Sequence, residues 1–292
     1  MSKKAYAKIA LFLTAMFWGS TFAIGKIAAE VFSASFIIAL RFSVASIALL
    51  IASIPLYKLL NKEYLRDGLW MGLSLFFGYI FQVVGLTMDT SPGKSAFLCT
   101  TYCVLVPFMH WFATKKRPQI LHIVCVFICL IGIGILSLQG GWGMSAGDIM
   151  TVLSGVPSAL NIVISAIVCR DKDPLLLTTI ELCIVAILAW VCVFLSGTFP
   201  TEFPMKAVGG IVYLGLVATA LCLYLQSYGL KYAEASIGGM ILSLESVFGV
   251  IFAIILYGET ITPRMIVGFI VIFIAIVLSQ WERPEKKEEV NM

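Results

Sequence analysis

Three ionisable residues stand well inside long apolar stretches of this sequence: Arg41, Glu181 and Glu245. On insertion scales such a residue at the centre of a membrane helix costs ~2.5–3.5 kcal/mol, so its presence invites a functional reading. For Glu245, roughly ten residues into its stretch, two chemistries offer themselves: carrying a proton, or holding the amine of a substrate. The bland alternative is a carboxylate satisfied by neighbouring hydroxyls and amides. Around these charges the apolar stretches carry Trp18, Tyr79, Gln82, Tyr102, Asn161, Tyr224, Gln226 and Ser243. Aromatic walls with a few hydrogen-bonding groups suit a small organic solute with a polar head. Isolated aromatics in such stretches are more often packing or lipid contacts, so only part of this set is expected to line a site.

These residues need membrane helices to position them. Apolar residues make up 60% of the 292 residues and charged residues 12%, with a mean hydropathy of +1.01. Ten apolar stretches follow one another, at about 6–26, 34–56, 68–88, 94–114, 119–138, 148–169, 174–196, 207–229, 235–257 and 263–281. About twenty apolar residues in a helix cross a ~30 Å hydrocarbon core. Asp173-Pro174 and Thr262-Pro263 each place a capping residue before a first-turn proline, and Gly258 follows the ninth stretch where a helix stop belongs. Lys3, Lys4 and Lys8 precede the first stretch like the start of a signal peptide. The stretch is too long and lacks a small-residue cleavage site, so it reads as a retained span.

With the N-terminus in the cytoplasm, fifteen of the twenty Lys and Arg residues fall on the inside, four outside, and Arg41 within a span. That asymmetry sets the expected orientation and agrees with an even number of crossings. Trp70, Trp111, Trp142 and Trp281 fall near span ends, where amphipathic rings prefer the interface.

The two halves resemble one another. Gln82-Val-Val-Gly85-Leu86 returns as Gln226-Ser-Tyr-Gly229-Leu230, and Ile135-Leu136-Ser137 as Val277-Leu278-Ser279. Five crossings per half is an odd number, so the second half must enter the membrane upside down. Inverted repeats are an architecture of secondary transporters, with the substrate between the halves at mid-depth. The expected units are a first five-helix repeat over 1–138, a glycine-rich linker over 139–147, a second repeat over 148–282 and a charged tail over 283–292. Arg41 and Glu181 are then repeat equivalents on opposite sides of the midplane, which argues against a direct ion pair. They read as structural charges that satisfy helix ends or hold the halves in register. Ala235, Gly239 and Ser243 form a small-residue stripe on the ninth span, suited to close helix contact or to sliding.

These residues carry a family resemblance. Residues 236–280 show a small-residue start, Leu244-Glu245-Ser246-Val247, the Gly258-Glu259 turn and Gly268 in the last span. With Phe17-Trp18-Gly19-Ser20, Arg41-Phe42 and Leu105-Val106-Pro107, the chain resembles the drug/metabolite transporter superfamily in its EamA-like branch. The resemblance implies ten helices in two inverted repeats. It implies a central cavity surrounded by the first, third, fourth, sixth, eighth and ninth helices. It also implies transport of amino acids, other small metabolites or drugs, mostly outward. Ser246 stands where the family commonly has proline, which puts a kink there in question.

Other chemistries are less well served. Cys99/Cys103 and Cys125/Cys129 each share a helix face, but a four-thiolate metal site would need the pairs at one depth, and they lie at different depths. All eight cysteines read as small packing residues. His110 and His122 fall near inner span ends, more as interface groups than as a proton relay. No phosphate-binding glycine loop and no catalytic cluster appears, and no basic stripe suits nucleic acid. The expectation is an all-α polytopic transporter, not an enzyme, without cofactor or metal, in a bacterial inner membrane with both termini cytoplasmic. Its partners are a small-molecule substrate and the bilayer, with a homodimer left open and no nucleic acid. The substrate-binding candidates are Trp18, Tyr79, Gln82, Tyr102, Asn161, Tyr224, Ser243 and Glu245, with Glu245 as coupling candidate. An uncoupled facilitator, a membrane scaffold or sensor, and an intramembrane transferase are the alternatives.

Overall fold

In the computed structural model, residues 3–115, 120–137, 144–232, 238 and 241–279 are described, and they form helices joined by short turns. The sequence expectations on 139–143, on the tail 283–292, on Trp142 and Trp281, and on Ala235 and Gly239 lie outside these residues.

Helices α1 (Lys3–Ala29), α2 (Ala34–Ala52) and α3 (Lys62–Thr87) open the chain, with a 3₁₀ turn Ile54–Leu59 before α3. Next come α4 (Pro92–Thr100), α5 (Tyr102–Thr114), α6 (Ile120–Ser137), α7 (Ala146–Leu153), α8 (Gly155–Val168) and α9 (Pro174–Ser196). Helix α10 (Met205–Gly215) passes through a π turn Leu216–Leu221 into α11 (Cys222–Tyr232). Helix α12 (Glu245–Phe252) ends in a second π turn, Ala253–Tyr257, and α13 (Pro263–Ser279) follows.

The helix starts follow from local chemistry. Asn61 accepts hydrogen bonds from the Glu63 and Tyr64 amides, which moves the start of α3 ahead of the expected residue 68. The Asp173 side chain caps the Leu175 and Leu176 amides before Pro174, and Thr262 Oγ1 accepts from the Met265 amide. Gly258, at φ 73°, ends the ninth stretch in the left-handed region that glycine adopts without strain.

Seven helical stretches among the described residues are long and apolar enough to cross a membrane. Three further apolar helices, Ile120–Ile135, Glu245–Tyr257 and Pro263–Leu278, are shorter. On α6 one face carries exposed Ile123, Phe127, Leu130 and Ile131, while Cys125, Cys129 and Ile133 on another are buried. Exposed apolar rows of this kind belong against lipid, where a helix satisfies every backbone group internally.

The interior is closely packed. Helix α2 lies along α9, α6 along α13, and α1 against α11 and α12, while α3 packs on α7, α8 and α9. At the crossing of α1 and α12 a Cβ on Gly19 would stand 2.4 Å from the Phe248 Cβ, so only glycine lets the two helices approach this closely. The cysteines form no disulfide among the described residues and take packing positions, six of them buried. Among the described residues no three His, Cys, Asp or Glu side chains come together as a metal site would need.

Candidate functional site

Four of the apolar stretches are interrupted near their middles, and the interruptions meet around one cavity. Helices α4 and α5 break at Thr101, and α7 and α8 at Ser154. Pro107 and Pro157 lack the amide that would serve the carbonyl four residues earlier, which weakens each helix at that point. Hydroxyls take over the local carbonyls. Thr100 donates to the Ala96 carbonyl and Thr101 to Leu98, each at 2.6 Å, and Ser154 to Thr151 at 2.6 Å. In the ninth stretch the chain turns at Ser243 and Leu244 just before α12, although no proline is present. There the Ser246 hydroxyl (2.8 Å) and amide (3.2 Å) both donate to the Ser243 carbonyl. Ser246 thereby supports the bend that the proline-containing pattern implies. In the eighth stretch the π turn leaves carbonyls free, and Thr219 Oγ1 donates to the Leu214 carbonyl at 2.7 Å.

These interruptions aim polar groups inward. Glu245 begins the resumed helix α12, where the N-terminal dipole end favours a carboxylate. Its Oε1 lies 3.3 Å from the Thr100 hydroxyl. The Tyr102 hydroxyl faces the same carboxylate without reaching good hydrogen-bond geometry. Trp18 Nε1 donates to the Ala218 carbonyl in the π turn at 2.9 Å. Arg41, buried at 4% exposure, donates from Nε to Thr219 Oγ1 and from Nη2 to Tyr79 Oη (3.2 Å) and the Ala218 carbonyl (3.4 Å). Its guanidinium also stands 4.7 Å from the Tyr79 ring centroid. Glu181 takes the Asn161 side-chain amide at 2.7 Å, and the same nitrogen reaches the Met71 carbonyl at 3.0 Å. Arg41 and Glu181 form no ion pair with each other among the described residues.

The cavity holds about 50 Å³, room for a few water molecules or the narrow head of a solute. Its wall contains Trp18 and Thr21 from α1, Tyr79 and Gln82 from α3, Cys99 and Tyr102 from α4 and α5, Asn161 from α8, Gln226 from α11 and Glu245 from α12. Six of the apolar stretches contribute: the first, third, fourth, sixth, eighth and ninth. Of the sequence candidates, Trp18, Tyr79, Gln82, Tyr102, Asn161, Gln226 and Glu245 come together here. Tyr224 and Ser243 stand outside the wall. The Tyr224 ring lies 6.4 Å from that of Tyr228, and Ser243 is fully buried at the bend of the ninth stretch. Sequence reasoning passed over Thr21, Thr100 and Ser158, and weighed Cys99 only as a metal ligand or packing residue. A helical-spacing signal was available, since Thr21, Cys99 and Ser158 each lie three residues from a chosen aromatic or amide.

Two polar clusters tie elements together away from the cavity. Lys94 Nζ meets the buried Asp148 carboxylate at 2.8 Å between α4 and α7, and Thr90 Oγ1 donates to the same carboxylate at 3.1 Å. Nearby, Glu259 accepts from the Gly93 amide at 2.7 Å and from the Ser91 hydroxyl. Elsewhere Lys172 pairs with Asp67 and Glu63. Burial alone would lower the Lys172 ammonium, but hydrogen bonds and charge from these carboxylates hold it above the usual lysine range.

The profile described as the EamA-like transporter family matches residues 5–138 and again 145–281, so the chain belongs to that family. It is 29% identical over 277 residues to an uncharacterized transporter of Archaeoglobus fulgidus, covering 94% of this chain and 86% of the relative. It is 21% identical over 257 residues to the uncharacterized transporter YoaV of Bacillus subtilis, covering 83% and 88%. A solved crystal structure shares the fold, with a TM-score of 0.70 at 17% identity over 94% of this chain and 97% of that one. The protein is an integral membrane protein and a membrane transporter of this family.

Proposed function

We propose that the chain is a secondary transporter that moves small amphipathic solutes such as amino acids or drugs outward by alternating access. The observation that carries this reading is a cavity between the two matched halves, walled by broken helices and holding Glu245. Broken helices at the interface of two repeats are the usual setting of a transporter's substrate site.

The reading takes the fold as ten spans in two inverted repeats. Its support is a pairing pattern that survives exchange of the halves. The contacts of the first stretch with the eighth and ninth (α1 with α11 and α12) answer those of the sixth with the third and fourth (α7 and α8 with α3, α8 with α5). The third with the seventh (α3, α9) answers the eighth with the second (α10, α2). The second with the seventh, the fourth with the ninth, and the fifth with the tenth each answer themselves. Rocking of one half on the other would open the cavity alternately to each side. The excess of Lys and Arg on the side of both termini supports cytoplasmic ends, and the prokaryotic relatives support a plasma membrane location.

In this reading Glu245 couples transport to protons. The titratable groups that face it are Tyr102, Cys99 and Cys103 from α4 and α5, with Tyr79 and Cys222 farther off, so it is the one carboxylate among them. The test is exchange of labelled amino acids and amines in proteoliposomes, with and without an imposed pH gradient. The expected result is exchange that the gradient accelerates, and loss of that acceleration in Glu245→Gln with the fold retained. Unchanged gradient dependence in the variant removes Glu245 as the coupling site. Exchange indifferent to the gradient in the parent protein makes it a facilitator, and no exchange favours a scaffold or sensor.

A further inference from the structure

Helix α4 and the ninth stretch meet at the cavity, at their crossing and at their far ends. At the cavity, the carboxylate of Glu245, which begins α12, lies 3.3 Å from the hydroxyl of Thr100, which ends α4. Between the ends, a Cβ on Gly249 would overlap the Ala96 Cβ, so the two backbones cross in close contact. At the far end, Glu259 accepts from the Gly93 amide at 2.7 Å and from the Ser91 hydroxyl, and so serves the open amide end of α4 from another element. Glu259 is itself fixed to the ninth stretch, because its amide donates to the Ala253 carbonyl of the π turn at 3.1 Å. The ninth stretch thus holds a carboxylate at each end of a helical run about 20 Å long, and α4 contacts both.

The Glu259 end belongs to a wider closure. Lys94, also at the start of α4, meets the Asp148 carboxylate of α7 at 2.8 Å. Just before α4, Asp89 accepts from the Gly147 amide at 3.1 Å. Lys26, near the end of α1, donates to the Leu86 (2.7 Å) and Met88 (3.3 Å) carbonyls where α3 ends. One end each of the first, third, fourth, sixth and ninth stretches, all of which wall the cavity, is fastened here. Asp148 and Glu259, both from the second matched region, grip the start of α4 from the first. At the opposite face Lys172 pairs with Asp67 and Glu63, which joins α3 to the turn between α8 and α9 and involves neither α4 nor α12.

We propose that α4 and the ninth stretch form a lever pair that links the cavity carboxylate to a clasp over one mouth of the cavity, and that this mouth opens only when Glu259 and Asp148 release the start of α4. A helix moved at one end moves at the other, and the glycine crossing is the point about which the pair can tilt. Whatever engages Glu245 in place of Thr100 therefore biases the clasp, and by linkage the clasp biases what Glu245 engages. The Lys94–Asp148 pair makes the clasp two-state. Its charges are buried together, so a half-parted pair is costly and the mouth is either shut or open to water. In the orientation proposed above this is the outer mouth. The use of the lever in transport rests on the transporter reading.

The test reads both ends of the lever in the full-length protein. Cys99 belongs to the cavity wall, so its labelling by a charged, impermeant thiol reagent reports opening, while Cys125 and Cys129, buried on α6, report unfolding. Sealed vesicles of both orientations are labelled, and each cysteine is read by mass spectrometry. Glu259→Ala is expected to raise Cys99 labelling about tenfold or more from one side only, with Cys125 and Cys129 unchanged, because a charge-assisted hydrogen bond holds the clasp. Glu63→Ala, at the opposite face, should leave labelling from that side as in the parent. Cys99 labelling that does not rise in Glu259→Ala, or rises equally from both sides, overturns the clasp. Should that variant also expose Cys125 and Cys129, Ser91→Ala, which removes one donor to the same carboxylate, decides by the same criteria. The link is read by hydrogen exchange over residues 90–95, which include the Gly93 amide. Glu245→Ala, at the cavity end, is expected to speed that exchange severalfold, and unchanged exchange overturns the lever. Counterflow in proteoliposomes is read separately. The expected labelling and exchange without flux retire the transporter reading and keep the lever; flux without either change does the reverse.

Discussion

Arg41 shows how a buried charge can be kept in a membrane helix without an opposite charge beside it. Its partners are a hydroxyl, a phenol, a carbonyl freed by a π turn and an aromatic face. Replacing it with Met removes the charge but leaves the Tyr79 hydroxyl and the Thr219 end of the π turn without their donor. Arg41→Met should therefore lower stability by about 1–3 kcal/mol, the usual cost of stranding buried polar groups. Chemical denaturation in detergent checks this, and a variant as stable as the parent would mean that the π turn holds itself. At this scale the sequence was legible where a residue type is out of place in hydrocarbon. Glu245, Asn161 and Gln226 announce themselves on that ground. Thr100 does not, because a threonine in a helix is ordinary until its neighbour across the interface is known. Tyr224 looked as suitable as Tyr79, yet α11 turns it away from the cavity wall that its neighbour Gln226 joins.

At the scale of elements, apolar run length and capping residues placed most helix ends to within a few residues, while α3 starts at Lys62 and not at the expected 68. The interruptions were harder to read. Pro107 and Pro157 mark two of them, but the bend before Glu245 depends on the Ser246 hydroxyl, and the π turn on Thr219. Such breaks become visible only when the competing acceptors are known in three dimensions. Two predictions belong here. Gly19→Ala places a Cβ 2.4 Å from the Phe248 Cβ at the crossing of α1 and α12, whereas a Cβ on Gly209 meets nothing within 4 Å. The first substitution should cost about 1–3 kcal/mol through overpacking, and the second should be tolerated. Melting temperatures of the two purified variants decide it, and equal values would contradict the close crossing. The second prediction concerns the Lys94–Asp148 pair, whose side chains are 10% and 0% exposed. Lys94→Met alone should destabilise by about 3–5 kcal/mol because it strands a buried carboxylate, and Asp148→Leu on top should recover much of the loss. A double-mutant cycle with additive losses would show the pair to be independent.

At the scale of the whole molecule, a doubling was legible because the same short motifs return in the same order, and the family profile matches the chain twice, over 5–138 and 145–281. The solute was not legible, because the hydrophobic pattern that builds the helices says nothing about what the few polar groups between them hold. The central claim is that solute passes through the cavity between the halves. Counterflow of labelled amino acids and amines in proteoliposomes tests it most directly, comparing the parent protein with Gln82→Trp in the cavity wall and Ile123→Phe on the exposed face of α6. The account predicts counterflow in the parent and in Ile123→Phe, and its loss in a stably folded Gln82→Trp. Undiminished counterflow in Gln82→Trp would contradict it.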